Sequence, residues 1–275
     1  MRKKFTDISQ HLNKWANFSF AEQYLPPLVC PTCLKGELLF DAEKFHFTET
    51  QESKNSHSHP QFDHEWIRYN FIGALACNNS TCQEIVTMIG SGRIVDGSYF
   101  DEESESYQHE SQREFSPLYF NPPLQLFPIP ATCPKPVRDE VEKSFALFFA
   151  DKSASANRVR STVELILDEK KVKHIKVVTE KSGIKKRKTL TLHPRIKEFG
   201  IRQPDIAEHL LAIKWIGNPA SHAEKIYERD LLEAYELLEY SLVKLYDDRE
   251  RRVKEITKQI NKRKKPRSYG SRPAF

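Results

Sequence analysis

Five cysteines carry the most legible chemistry in this 275-residue chain. Cys30-Pro-Thr-Cys33 is one short hook, and Cys77 with Cys82, across Asn78-Asn79-Ser80-Thr81, is a second. Two such hooks suit tetrahedral zinc, because each can set two thiolates about 2.3 Å from one ion. A set of four thiolates leaves no open coordination position, so the expected zinc is structural and not catalytic. Two alternatives stay open. The pairs could be unconnected reduced cysteines, or one of His57, His59 and His64 could replace a cysteine. These histidines lie in the polar stretch from Glu49 to Glu65, expected as an exposed loop between the hooks. Cys133, followed by Pro134, has no partner by spacing and reads as a spare thiol.

A second group of residues could move protons or hold phosphate. Asn218-Pro219 reads as cap and first residue of a helix, with His222 in its first turn. A helix N-terminus disfavours a cation, so the His222 imidazole is expected to be neutral, with a lowered pKa. Such a histidine suits a general base, and equally a histidine pinned by hydrogen bonds at a helix junction. Arg160 and Glu164 lie one turn apart and can pair along their helix. If they face the break at Gly217 they could orient His222 or bind a phosphate. Asn218 and Glu164 are the expected structural polar cluster. Lys214 is the nearest cation upstream of His222.

The net charge of +5 hides an asymmetry. Residues 249–275 hold 11 Lys and Arg against 2 Glu, while the rest of the chain is mildly acidic. Such a tail stays solvated and is attracted to nucleic acid or to acidic protein surfaces. Lys262, Arg263, Lys264 and Lys265 are its densest run, and Lys185, Lys186, Arg187 and Lys188 form a second basic patch. Nine glycines are few for a glycine-rich phosphate cradle. No apolar run approaches the roughly 18–20 residues that span a bilayer, and the N-terminus lacks the apolar region of a signal peptide. A cytosolic (cytoplasmic) protein with no membrane partner is expected.

The elements that must position these groups divide the chain. Residues 1–29 read as a helical or extended lead-in. Residues 30–116 read as a small β module that resembles a zinc ribbon, the first hook running through Leu34-Lys35-Gly36-Glu37-Leu38 into a strand. Within it, Glu84 to Ile89 and Arg93 to Val95 are expected to form a hairpin around Gly90-Ser91-Gly92, and Asp101 to Glu114 a second loop. Residues 117–135 are proline-dense, extended and non-helical, the expected linker. From Pro136 the apolar period becomes helical. Val137, Val141, Phe145 and Phe148 mark one helix. Ala156, Val159, Val163 and Ile166, capped by Ser153, mark a second. Val172 to Thr179 and Ile184 to Leu192 flank Lys181-Ser182-Gly183, which reads as a basic β-hairpin or a mobile, solvated loop. Ile206, Leu210, Ile213 and Ile216 mark a helix stopping at Gly217. Leu231, Tyr235, Leu238, Leu242 and Leu245 mark a long last helix, in near-heptad spacing that admits a homodimer. Residues 136–248 thus form a helical bundle, and 249–275 the basic tail.

Three runs resemble a known family: Phe127-Pro128-Ile129-Pro130, then Ala156-Asn157-Arg158-Val159-Arg160 with Glu164, then Ile216-Gly217-Asn218-Pro219-Ala220-Ser221-His222. Together they resemble domain-of-unknown-function family 4145, within the wider HEPN (higher eukaryotes and prokaryotes nucleotide-binding) group, over roughly residues 117–246. The resemblance implies a prokaryotic defence or mobile-element setting, with a partner nuclease or other protein of that system. Many HEPN proteins are metal-independent ribonucleases whose motif is an Arg followed four to six residues later by a His, often with a polar residue after the Arg. Their His moves protons for the ribose 2′-hydroxyl while their Arg steadies the phosphate. Carried over, His222 matches the His and Asn218 the polar position, but Gly217 stands where the Arg belongs.

The expected fold class is therefore α+β: a small β zinc-ribbon-like module followed by a HEPN-like α-helical bundle and a basic tail. The expected function is a non-catalytic binding module that contacts nucleic acid, RNA or DNA, or a partner nuclease. The alternative is an endoribonuclease using His222, with Lys214 or Arg160 as phosphate clamp.

Overall fold

The computed structural model describes residues 8–22, 24–101, 106–179, 185–217 and 226–265. Successive side chains of a strand point to opposite faces, and here that period organises the N-terminal half. Six strands form one antiparallel sheet: β1 (Phe20–Ala21), β2 (Leu28–Val29), β3 (Glu37–Glu49), β4 (Arg68–Cys77), β5 (Ile85–Asp101) and β6 (Ser106–Asn121). Their order is β1-β6-β5-β4-β3-β2. One face buries Phe45, Phe71 and Phe115 around Phe20, with Phe45 and Phe115 meeting edge to face at 4.9 Å between centroids.

Three expectations for this half are corrected. Gly90-Ser91-Gly92 is no turn; it lies inside β5, at a register shift between Ile89 and Gly90. A Cβ on Gly90 would stand 2.3 Å from the Ser116 carbonyl oxygen, so close strand approach, not a hairpin, excludes a side chain there. Of the stretch Asp101–Glu114, residues 106–114 are strand and not loop, because β5 and β6 pair from Thr87–Asn121 out to Asp101–Ser106, while residues 102–105 lie outside the described residues. Backbone pairing holds that ribbon, so its acidic, serine-rich composition does not betray it. The stretch Glu49–Glu65 is not plain loop either. It holds a short helix, α2 (Gln51–Ser56), capped by Thr50, and a 3-10 turn over His64–Trp66 capped by Asp63. The β module is thus a six-stranded sheet, larger than a zinc ribbon.

The segment after β6 is non-helical, as its prolines dictate, but it is packed and not a free linker. Leu124, Leu126, Phe127, Ile129 and Cys133 are all buried. The N-terminal segment also docks. Its single turn α1 (Gln10–Asn13) buries Leu12, Trp15 Nε1 donates to the Leu126 carbonyl at 3.0 Å, and Ser9 bonds Glu236.

The second half is helical. Helices α3 (Lys135–Leu147) and α4 (Lys152–Glu169) pack as an antiparallel pair. The cap of α4 is Asp151, which accepts from the Ala154 amide at 2.8 Å; Ser153, the expected cap, lies inside the helix. A two-stranded ribbon follows, β7 (Ile175–Thr179) with β8 (Lys185–Thr189). The chain then enters α5 (Leu192–Gly200), a helix the sequence reading missed. Pro194 falls in its first turn, where a missing N–H costs nothing. Helix α6 (Pro204–Gly217) ends at the expected glycine, and α7 (Glu228–Tyr246) follows.

The apolar seam of α7 is spent within the chain. Leu231, Tyr235, Leu238 and Leu242 are fully buried, so this seam is not open to a second copy. At its centre the Tyr235 hydroxyl lies 2.8 Å from Ser155 Oγ and donates to Ser144 Oγ at 3.2 Å, tying α7 to α3 and α4. The basic tail is not formless over its first part. It forms α8 (Arg249–Arg263), with Val253, Ile256 and Ile260 about half exposed. Arg, Lys, Glu and Gln are good helix formers, so charge and helix coexist there.

Candidate metal centre and basic surfaces

The sheet register brings the two cysteine hooks together. Strand β2 leads into Cys30, β3 leaves Gly36, β4 ends at Cys77 and β5 begins after Glu84, so both hooks are turns at one end of adjacent strands. Leu38 opposite Cys77 fixes that end. The first turn closes through the Cys30 amide on the Gly36 carbonyl at 2.8 Å and the Leu34 amide on the Cys30 carbonyl at 3.0 Å. The second closes through the Cys82 and Gln83 amides on the Asn79 carbonyl at 2.9 and 3.1 Å. The residue after the second cysteine of each hook, Leu34 and Gln83, is left-handed, with φ near 55° and 54°. Two unrelated stretches thus adopt the same turn. Thr32 Oγ1 joins them by donating to Glu84 Oε2 at 2.8 Å.

The four Sγ atoms all lie within 4.8 Å of one another. Cys30 and Cys82 are 3.9 Å apart, and Cys33 and Cys77 are 3.7 Å apart, both pairs running across the hooks. A disulfide needs about 2.05 Å. Four sulfurs 2.3 Å from a tetrahedral ion would stand about 3.8 Å apart, which these distances match. Amides point at the sulfurs: Gly36 N donates to Cys33 at 3.3 Å and Asn79 N to Cys77 at 3.4 Å, while the Asn79 side-chain amide reaches Cys33 at 3.7 Å. The Gly36 and Lys35 amides bring the Cys33 thiol down to about 6, whereas burial, then the other sulfurs, push Cys77 up to about 12. A lone thiolate is thus accommodated, and a full set of four needs a cation. The donor set fits a divalent metal held by Cys30, Cys33, Cys77 and Cys82.

The histidines do not join this group. His57 Nε2 lies 2.8 Å from Glu49, His59 packs at a tilt against Trp66, and His64 bonds Asp96 at 2.9 Å. Cys133 is buried apart, its thiol raised to about 11 by burial. Sequence reasoning missed Asn79 and Gly36. A Cβ on Gly36 would stand 2.5 Å from Cys77 Sγ, so the glycine is the space the sulfur occupies.

Of the second constellation, the structure brings part together. Arg160 pairs with Glu164 at 3.3 Å, as the spacing predicts. Gly217 ends α6 against α4, where an added Cβ would lie 2.8 Å from Arg160 Cβ. The Lys214 ammonium sits 3.6 Å over the Trp215 ring, and burial, then Arg160, lowers its pKa. The buried Arg160 Nε meets no hydrogen-bond acceptor among the described residues. Asn218 and His222 lie outside the described residues.

The basic runs are surface features. Lys185, Lys186, Arg187 and Lys188 are all exposed on β8, and Lys176 of β7 sits directly opposite Lys188. Lys262, Lys264 and Lys265 are exposed at the end of α8, and Arg263 is half-buried. Among the described residues, no helix is long and apolar enough to cross a membrane.

No curated protein and no solved structure matches this chain. Two family matches do exist, and they divide the chain where the sheet gives way to the helices. The family described as Domain of unknown function (DUF8608) matches residues 18–120, spanning the sheet and both cysteine hooks. Residues 142–263, from α3 to the end of α8, match the family described as Domain of unknown function (DUF4145). The chain therefore matches two families of unknown function in turn, one over the cysteine-bearing sheet and one over the helical unit.

Proposed function

We propose that this chain is a non-catalytic binding module in which structural zinc on Cys30, Cys33, Cys77 and Cys82 secures one end of the sheet, and basic surfaces of a HEPN-like helical unit contact nucleic acid. Zinc, when bound, supplies crosslinking only, because four thiolates fill its coordination sphere. The observation that carries the nucleic-acid reading is the β7–β8 ribbon. Its described side chains are exposed on both faces, so no core burial accounts for its place in the fold. Lys176 stands directly opposite Lys188, a like-charge pair that opposes strand pairing unless an anion lies between them. Phosphate oxygens supply that anion, and the basic face of α8 adds further charge. We place the module in the cytoplasm of a prokaryotic cell, in a defence or mobile-element system, on the strength of the family resemblance.

A gel-shift series over salt tests the reading. Binding should weaken as salt rises, and Lys186→Glu with Lys188→Glu should flatten the salt slope by about 2 or more, since each phosphate contact contributes close to one. Truncation after Asp248 should weaken binding further. Binding that ignores both changes, or no binding to DNA or RNA at low salt, refutes the proposal.

One observation favours a second reading. Arg160, Glu164 and Lys214 gather at the end of α6, just before the segment that contains His222. In that reading the chain is a metal-independent endoribonuclease with His222 as acid and base and Arg160 or Lys214 as phosphate clamp. Incubation with RNA without added divalent cations decides it: cleavage that disappears in His222→Ala supports the enzyme, and intact RNA with both proteins supports the binding module.

A further inference from the structure

An antiparallel sheet with one face on a core normally presents polar side chains to water on the other. Here the centre of the outer face is apolar. Strand register sets it out in rows. In one row Ile72, Ile89 and Tyr119 lie side by side on β4, β5 and β6. In another, Leu39, Ala76 and Ile85 lie side by side on β3, β4 and β5. Ala74 and Thr87 fill the row between on β4 and β5, Asn121 extends it on β6, and the β3 bulge between Phe40 and Phe45, with Lys44 paired to Asp41 at 2.8 Å, borders it. Ile72 is 55% exposed, Leu39 54%, Ile85 47%, Tyr119 46% and Ile89 45%.

At roughly 200 Å² for a fully exposed large side chain, these five leave about 500 Å² of contiguous apolar surface. That lies near the upper end for a solitary protein, where the largest patch is about 300–600 Å². A standard dimer buries about 800 Å² per subunit, so the patch would supply more than half of such an interface and its polar margin would have to supply the rest. The margin is charged in a directional way. Glu37 lies at the cysteine end of the strands, and Arg68, whose guanidinium bonds the Glu65 and Ile67 carbonyls, lies at the other.

We propose that a second copy of this chain packs on this face, sheet against sheet, about a two-fold axis that crosses the strands. The axis reverses strand direction, so Glu37 of each copy meets Arg68 of the other at both ends while the uncharged rows interlock between them. Face-to-face sheets pack about 10 Å apart with aligned strands, a geometry open to flat rows of Ile, Leu and Ala. This interface is independent of the nucleic-acid reading and of α7, whose seam is already buried.

Sedimentation equilibrium of the full chain over a wide concentration range tests it. The expected species is a reversible dimer of 32.1 kDa chains. Ile72→Asp should raise the dimer Kd by about a hundredfold, because it buries a charge at the centre of the patch. Its circular dichroism should not change, since the residue faces out. Glu37→Arg and Arg68→Glu should each weaken the dimer by about tenfold, and the two together should restore it. These rim variants leave the sheet core untouched and so serve even if Ile72→Asp folds poorly. A chain that stays monomeric at every concentration overturns the proposal, including one that instead captures another protein on this face. A dimer indifferent to Ile72→Asp, or a charge swap without recovery, overturns it as well.

Discussion

Replacing Gly36 with alanine is the sharpest test of the cysteine centre. The new Cβ would stand 2.5 Å from Cys77 Sγ, 2.9 Å from Asn79 Cβ and 3.0 Å from Asn78 Oδ1. Relaxed non-bonded contacts of such atoms lie near 3.5–4.0 Å, so the sulfur must retreat by about 1 Å. Metal sites hold their ligand distances to within about 0.2 Å. The displacement therefore exceeds the tolerance several-fold, and the asparagine that donates to both Cys77 and Cys33 is pushed as well. Disturbing groups around a site typically costs ten- to hundredfold in affinity, and moving a ligand itself should cost at least about a hundredfold. Gly92→Ala is the control. Its Cβ would meet the Phe115 ring at 2.7 Å, far from any cysteine. Overpacking there should cost about 1–3 kcal/mol of stability and leave the metal in place. The assay is zinc per chain after dialysis against a graded series of chelator, beside a urea titration. A Gly36→Ala protein that keeps one zinc per chain with unchanged chelator resistance refutes the argument.

Three further outcomes are expected. Cys77→Ser should abolish stoichiometric zinc, and zinc release from the parent should rise as pH falls, because protons compete for the thiolates; a dye that reports free zinc follows both. Tyr235→Phe should cost only about 1 kcal/mol in a urea titration, since Ser144 and Ser155 keep the Val141 and Ser144 carbonyls as acceptors. Tyr235→Leu, which also vacates space among Phe127, Phe145 and Phe148, should cost several times more. The hydrogen bond to Asp96 holds the His64 imidazole above its ordinary value of 6.5. A raised value in the folded state means that this contribution is complete below the unfolded pKa and is lost as pH rises through the folded one. The His64 resonance should therefore titrate above 6.5 in the intact chain, and Asp96→Asn should bring the midpoint down; equal midpoints would contradict the pairing.

What was legible in the sequence had a period or a spacing. Cysteine hooks at C-x-x-C and C-x-x-x-x-C positions are local, and the sheet register only had to bring one to the other. Helices α3, α4, α6 and α7 bury one stripe each, so Val137, Val163, Leu210 and Leu238 announce them. Features without a buried stripe left no such trace. The outer part of the β5–β6 ribbon and the exposed helix α8 are held by backbone bonds, and their compositions read as loop and tail. Gly90 and Gly92 misled for a different reason. Glycine marks both turns and crowding, and only the position of Ser116 and Phe115 across the strand distinguishes them. Asn79 was invisible because its role depends on a sulfur 46 positions away.

The docked N-terminal segment has a consequence for anyone dissecting this chain. Leu12 and Trp15 lie ahead of both family matches, yet they are buried, and the Ser9, His11 and Asn17 bonds land on Glu236, Glu239 and Glu228 of α7. A helical fragment excised at the family boundary would lose these three anchors at once, and residues 8–17 would dangle from the sheet fragment without their seat. The two units are fastened by a strap that belongs to neither, and any expression of one alone should carry residues 8–17 to its counterpart as a separate peptide.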